Sequence, residues 1–93
     1  MPEYFNKGDS MEMGREFKEC RKYLRKKDNH IGWFDDWKGY TYKLRFISLT
    51  LMEILEMYMG NIRVYPKHTK QTWQEFNDRF MPGNCLRIIS NRD

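Results

Sequence analysis

Apolar residues recur at helical spacing in the first third of the chain. Four of them follow at intervals of four, three and four residues, namely Met13, Phe17, Cys20 and Leu24. At about 100° of rotation per residue they share one face of a helix. Asp9 or Ser10 suits the N-cap, and residues 28–29 mark the end. The pattern predicts a first amphipathic helix, whose opposite face carries Arg15, Lys18, Lys22, Arg25 and Lys26.

The segment 40–47 alternates between apolar and polar residues. Tyr42, Leu44 and Phe46 point to one side, and the residues between them point to the other. A period of two with aromatic enrichment favours a half-buried strand. Apolar residues from 40 to 59 also fit a helical stripe, so one long helix over 40–59 is the competing interpretation.

The next segments predict a second helix and a short strand. Ser48 or Thr50 suits the N-cap of a helix that runs to Met59, with the Gly60-Asn61 pair as its C-terminal stop. Residues 62–65 then form a short strand before Pro66.

A third helix and a last strand complete the pattern. The helix begins near Thr69 or Thr72, and Thr72 with Glu75 fits a capping box. Residues 85–90 alternate as a strand. The chain is therefore expected to form a single small α+β domain over residues 1–93, with about three helices packed on a three-stranded mixed sheet. The alternative is a three-helix bundle with a small hairpin.

Residues 30–39 are expected to form a loop that is dense in aromatic and acidic side chains. Trp33, Phe34 and Trp37 fall within five residues of one another. These rings either cap one end of the core or form an exposed patch for a partner, since tryptophan is enriched in interface hot spots.

Composition adds a hint about origin. The chain has no alanine, Val64 is its only valine, and it holds 7 Met, 6 Phe and 6 Tyr. The abundant residue types have A/T-rich codons, as in many phages, viruses and mobile elements. No secretory segment and no apolar run of about 20 residues is visible, so an intracellular location is expected, in the host cytoplasm if a phage encodes the protein.

Sequence motifs for catalysis or cofactor binding are missing. The six glycines are isolated and match no phosphate-binding loop, and neither a GxSxG nor a CxxC motif occurs. The two cysteines and two histidines lack zinc-ligand spacing. The sequence therefore predicts no enzyme activity, no cofactor and no metal site.

The leading functional hypothesis is a small non-catalytic protein-binding module, an accessory protein that inhibits or redirects a host protein with an acidic surface. A net charge of +4 suits such a partner. The alternative is a nucleic-acid-binding protein that uses the basic face of the first helix, and a homodimer is also compatible with the large apolar content. The residues expected to bind the partner are Trp33, Phe34, Trp37, Arg15, Lys18, Lys22 and Arg25.

Overall fold

The protein is a mostly antiparallel sheet with two helices. A computed structural model describes residues 10–64, 69–80 and 86–92, and it describes the side chains of the first helix from Lys18 onward. In chain order the elements are α1 (Ser10–Lys26), β1 (Ile31–Asp35), β2 (Tyr40–Phe46), β3 (Leu51–Met59), β4 (Ile62–Arg63), β5 (Thr69–Thr72), α2 (Trp73–Phe80) and β6 (Arg87–Ile88).

The strands form one sheet in the order β4-β3-β2-β1-β6, and β5 pairs with β3. Each strand pairing among the described residues is antiparallel. The expected three-helix layer on a three-stranded mixed sheet is therefore wrong, and so is the alternative helical bundle. The described residues form six strands and two helices instead.

The largest error concerns residues 48–59, where β3 replaces the expected second helix. A β-bulge explains the misleading pattern. Lys43 lies opposite Glu56 but Leu44 lies opposite Ile54, so Leu55 has no counterpart in β2. The buried apolar side chains consequently shift from even to odd positions, at Met52, Ile54 and Met57. An interrupted period of two resembles helical spacing, and Leu, Met and Glu are themselves good helix formers.

The turn after β3 contributed to the same error. Gly60 has a φ of 61°, which is the left-handed conformation that also ends many helices. Here Gly60 and Asn61 join β3 to β4 as a two-residue hairpin turn, with glycine in the first central position. A glycine with positive φ therefore has two readings from sequence, and only the pairing of Met59 with Ile62 distinguishes them.

Residues 31–35 form β1 instead of the expected loop. Gly32 and Phe34 face the helices, as alternate residues of a strand do. This alternation is not visible in the sequence because Gly32 has no side chain. The close packing requires it: a Cβ on Gly32 would lie 2.8 Å from Leu24 Cδ2. Phe34 is fully buried, and its ring makes an edge contact with Tyr23 at a centroid distance of 6.2 Å.

Other sequence predictions are confirmed. α1 and β2 form where the pattern placed them. The capping box at the start of α2 is present, because Thr72 N donates to Glu75 Oε1 at 2.8 Å and Glu75 N donates to Thr72 Oγ1 at 2.9 Å. Short strands occur within 62–65 and 85–90, as β4 and β6.

Both helices cover one face of the sheet and build the core there. The buried cluster comprises Cys20, Leu24, Phe34, Tyr42, Leu44, Met52, Ile54, Met57, Trp73, Phe76 and Leu86. We call this side of the sheet the helix-covered face. The opposite side, which no described helix covers, is the open face. No helix in the described segments has both the length and the apolar character needed to cross a bilayer.

Candidate protein-binding surface

The turn between β1 and β2 carries the most exposed aromatic ring of the described residues. Asp36 organises this turn from within: its Oδ1 accepts hydrogen bonds from the backbone N–H groups of Lys38 and Tyr40, both at 3.0 Å. Its Oδ2 accepts a 2.6 Å bond from the buried Tyr42 hydroxyl. The carboxylate thus ties the turn to the core, while Trp37 projects with 53% of its surface exposed.

Burial and the hydrogen bond to Asp36 raise the pKa of Tyr42 well above its ordinary value. The phenol therefore stays protonated at neutral pH and remains a donor to Asp36. Since Asp36 is itself only 5% exposed, this pair is a satisfied polar contact at the base of the turn.

A second contact anchors the same turn to α2. The Lys38 ammonium donates a hydrogen bond to the carbonyl of Phe80, at the last residue of that helix. Such a cation is favourable beside the negative end of a helix dipole. The turn is thus held from two sides, by Asp36 below and by Lys38 against α2.

The β3–β4 hairpin lies beside this turn and exposes further apolar side chains. Met59 lies opposite Tyr40 in β2 and opposite Ile62 in β4. A Cβ on Gly39 would lie 3.7 Å from Met59 Sδ, which places the two turns in contact distance. Met59 is 38% exposed and Ile62 is 67% exposed.

Most of the large apolar side chains exposed by the described residues belong to these two hairpins. Five such side chains are exposed. Leu49 lies in the β2–β3 connection at the other end of the sheet. The remaining four we call the turn patch: Trp37, Met59, Ile62 and Val64.

The three aromatic residues proposed from sequence occupy different places. Trp37 belongs to the turn patch. Phe34 is fully buried in the core, and Trp33 lies on the open face with 5% exposure. The Arg92 guanidinium covers the Trp33 indole, 3.9 Å from the ring centroid. Of the three rings, only Trp37 has substantial surface to offer a partner in this structure.

The basic residues proposed from sequence lie on α1. Lys18, Lys22 and Arg25 are exposed, whereas Arg15 precedes the part of α1 whose side chains are described. The Arg25 guanidinium lies 5.9 Å from the Phe46 ring centroid, at the end of β2 away from Trp37. Because β2 rises about 3.3 Å per residue, roughly 20 Å separates its two ends. The structure therefore does not bring Arg25 and Trp37 into one site.

Sequence reasoning missed Met59, Ile62 and Val64 as surface residues. The expected second helix ended at Met59 and so hid the hairpin, and the short strand at 62–65 gave no sign of which of its faces was covered. The available signal was the glycine at position 60 followed by Asn61 between apolar runs, which also predicts a hairpin. A hairpin reading would have put these side chains beside one another.

The acidic residues near the turn have protein partners. Asp35 receives two hydrogen bonds from Arg87, at 3.0 and 2.8 Å, and Asp36 serves the turn and Tyr42. Within the described residues, no group of three or more His, Cys, Asp or Glu side chains is arranged to hold a metal ion.

Comparison with known proteins returned no relative: no protein-family model matches the chain, and no curated protein or solved structure shows significant similarity to it.

Proposed function

We propose that this protein is a non-catalytic protein-binding module that docks its partner through the turn patch. One observation carries the proposal: four of the five large exposed apolar side chains of the described residues cluster on two adjacent hairpins. Exposed apolar clusters on small proteins mark interaction surfaces more often than scattered single residues do. Tryptophan is also one of the residue types that are enriched in interface hot spots.

The hydrogen bonds that fix the β1–β2 turn support this role. Two backbone hydrogen bonds to Asp36 and the bond from Lys38 to Phe80 hold the β1–β2 turn in place before any partner arrives. A pre-organised surface loses less conformational entropy on binding.

The proposed partner is a protein with an apolar cleft in an acidic surround. Lys38 is exposed in the same turn as Trp37, and a cation at the rim of an interface accelerates association with acidic surfaces. The abundant residue types have A/T-rich codons, which supports a phage, viral or mobile-element origin. In that case the partner is a host protein that is inhibited or redirected.

A pair of matched variants tests the proposal. Ile62→Thr removes an apolar side chain that is 67% exposed in the patch, and Leu49→Thr removes one that is 63% exposed at the other end of the sheet. A partner is first captured from the lysate of the natural host, identified and purified, and its affinity is measured by calorimetry.

We expect Trp37→Ser to weaken binding by about 30-fold or more, the scale of a hot-spot loss of about 2 kcal/mol. Ile62→Thr should weaken it by a smaller factor, and Leu49→Thr should leave it unchanged. Equal effects of Ile62→Thr and Leu49→Thr would argue against the turn patch. Light scattering on the same variants reports whether the patch instead pairs two copies of the chain.

A further inference from the structure

The positive charge of this protein is concentrated in one short stretch. Residues 18–28 contain six lysines and arginines against Glu19 and Asp28, a net charge of +4. The whole chain has 17 basic and 13 acidic residues, so the other residues hold 11 of each and sum to zero. All of the net charge therefore comes from the second half of α1 and the residues just after it.

On the open face of the sheet, several basic side chains are matched with carboxylates. Lys43 lies 3.3 Å from Glu56 in the neighbouring strand. Arg87 lies 2.8 Å from Asp35. These two cations are locally neutralised, whereas Arg63 and Arg92 on the same face lie over the rings of Tyr58 and Trp33.

Two arginines of α1 contact aromatic rings instead of carboxylates. The Arg21 guanidinium lies 5.7 Å from the Trp73 ring centroid, and that of Arg25 lies 5.9 Å from the Phe46 centroid. A cation over an aromatic face keeps its full positive charge. These contacts position the arginines without neutralising them.

Three lysines form a row on the exposed side of α1 that is inclined to the helix axis. Lys18, Lys22 and Lys26 are spaced four residues apart and are exposed. At 1.5 Å per residue the row is about 12 Å long. None of the ion pairs found among the described residues involves these lysines. Lys22, Lys26 and Arg25 also line a shallow depression of about 340 Å³. We call Lys18, Lys22, Arg25 and Lys26 the basic stripe.

We propose that the basic stripe binds the phosphate backbone of double-stranded DNA without sequence specificity. A duplex carries one negative charge per about 1.7 Å of axis, so a row of about 12 Å faces a dense line of phosphates. Phosphate contacts need only cations, whereas a protein interface needs apolar or aromatic anchors at its centre. The stripe offers no such anchor. It also presents no exposed aromatic ring on which the bases of a single strand would stack.

This proposal is independent of the turn patch. The stripe lies on α1, and the patch lies on the β1–β2 and β3–β4 hairpins. A variant of one surface should therefore leave binding at the other unchanged.

The test is fluorescence anisotropy with a labelled mixed-sequence duplex, measured between about 50 and 200 mM salt. Four phosphate contacts predict a slope of log K against log salt of about −3.6. The variant Lys18→Gln/Lys22→Gln/Lys26→Gln should retain a slope of only about −0.9. Glutamine has nearly the same helix propensity as lysine, so α1 is preserved.

The matched control removes three cations elsewhere, as Arg63→Gln/Lys70→Gln/Arg92→Gln. It has the same net charge as the stripe variant, and its slope should stay near that of the wild type. Circular dichroism checks that both variants fold. If the control is destabilised by loss of the Arg92 contact, the pair Arg63→Gln/Lys70→Gln is compared with Lys18→Gln/Lys22→Gln.

Three results would overturn the proposal. One is the absence of binding by the wild type at the lowest salt concentration. Another is an equal loss in the stripe and control variants, which would show that net charge alone drives binding. The last is displacement of the duplex by poly-glutamate at equal charge concentration, which would show that the stripe prefers an acidic polypeptide.

Discussion

The helix-covered face and the open face of the sheet use the same strands but different interactions. On the helix-covered face, Phe34, Tyr42 and Leu44 are fully buried against α1 and α2. On the open face, the side chains between them pair across strands: Arg45 contacts Glu53, and Lys43 contacts Glu56.

This difference indicates which of the two faces contributes more to the stability of the fold. Burial of large apolar side chains contributes about 1.5–3 kcal/mol each, whereas partly exposed ion pairs contribute about 0–1 kcal/mol. The helix-covered face therefore holds the fold together, and the open face supplies cross-strand register and local charge balance.

The neighbours Phe34 and Trp33 point to opposite faces and give the largest expected effect. Phe34→Ala should lower the free energy of unfolding by about 3–5 kcal/mol, because it leaves a cavity under α1. Trp33→Ala should cost about half as much, because its covering side chains, Arg92 and Lys43, are flexible and can close the gap. Urea denaturation measures both. A larger loss for Trp33→Ala would mean that the open face contributes a second core.

The next largest effect on the free energy of unfolding is expected from variants of the two cross-strand ion pairs. Glu53 is only 3% exposed, so Arg45→Ala removes an ion-pair partner of a buried carboxylate and should cost about 1–3 kcal/mol. Lys43→Ala should cost less than about 1 kcal/mol, because the side chains of Lys43 and Glu56 retain 28% and 25% exposure. Thermal melts at low and high salt check this: equal losses in the two variants would show that burial of Glu53 has no energetic weight.

The smallest expected effect concerns the pKa values of the two hydrogen-bonded tyrosines, Tyr42 and Tyr58. Both values are raised, but for different main reasons. Burial is the main reason that the pKa of Tyr42 is raised, whereas a hydrogen bond to Glu56 is the main reason for Tyr58. Glu56→Gln should therefore return the pKa of Tyr58 towards its ordinary value and leave that of Tyr42 raised. NMR titration of the tyrosine rings reports both, and an unchanged Tyr58 would contradict the assigned cause.

The raised pKa values of the two tyrosines also determine how the stability of the fold depends on pH. Folding raises the pKa of both phenols above about 10, the value of an unfolded tyrosine. Their contribution to stability is complete below about pH 10 and is lost as the pH rises above it.

Local patterns predicted the elements that depend on local interactions. α1 follows from the spacing of Cys20 and Leu24, and the start of α2 follows from reciprocal hydrogen bonds between Thr72 and Glu75. β2 has an uninterrupted alternation, and its strand was predicted correctly.

The candidate site was less accessible to sequence reasoning. Trp37 was singled out because of its residue type, but Met59 and Ile62 join it only through strand pairing. The expectation of a loop at 30–39 also grouped Trp37 with Trp33 and Phe34, which β1 directs to opposite faces of the sheet.

The sequence alone determined the amphipathic first helix, the capping box and the concentration of net positive charge between residues 18 and 28. These depend on neighbours within a few residues, where spacing and charge are already explicit. The tertiary structure decided that residues 51–59 form a strand, that Gly32 lies against Leu24, and that the turn holding Trp37 lies beside the β3–β4 hairpin. Each of these depends on contacts between residues that are distant along the chain, and a bulge at Leu55 or a close approach at Gly32 becomes visible only once the partner strand or helix is in place.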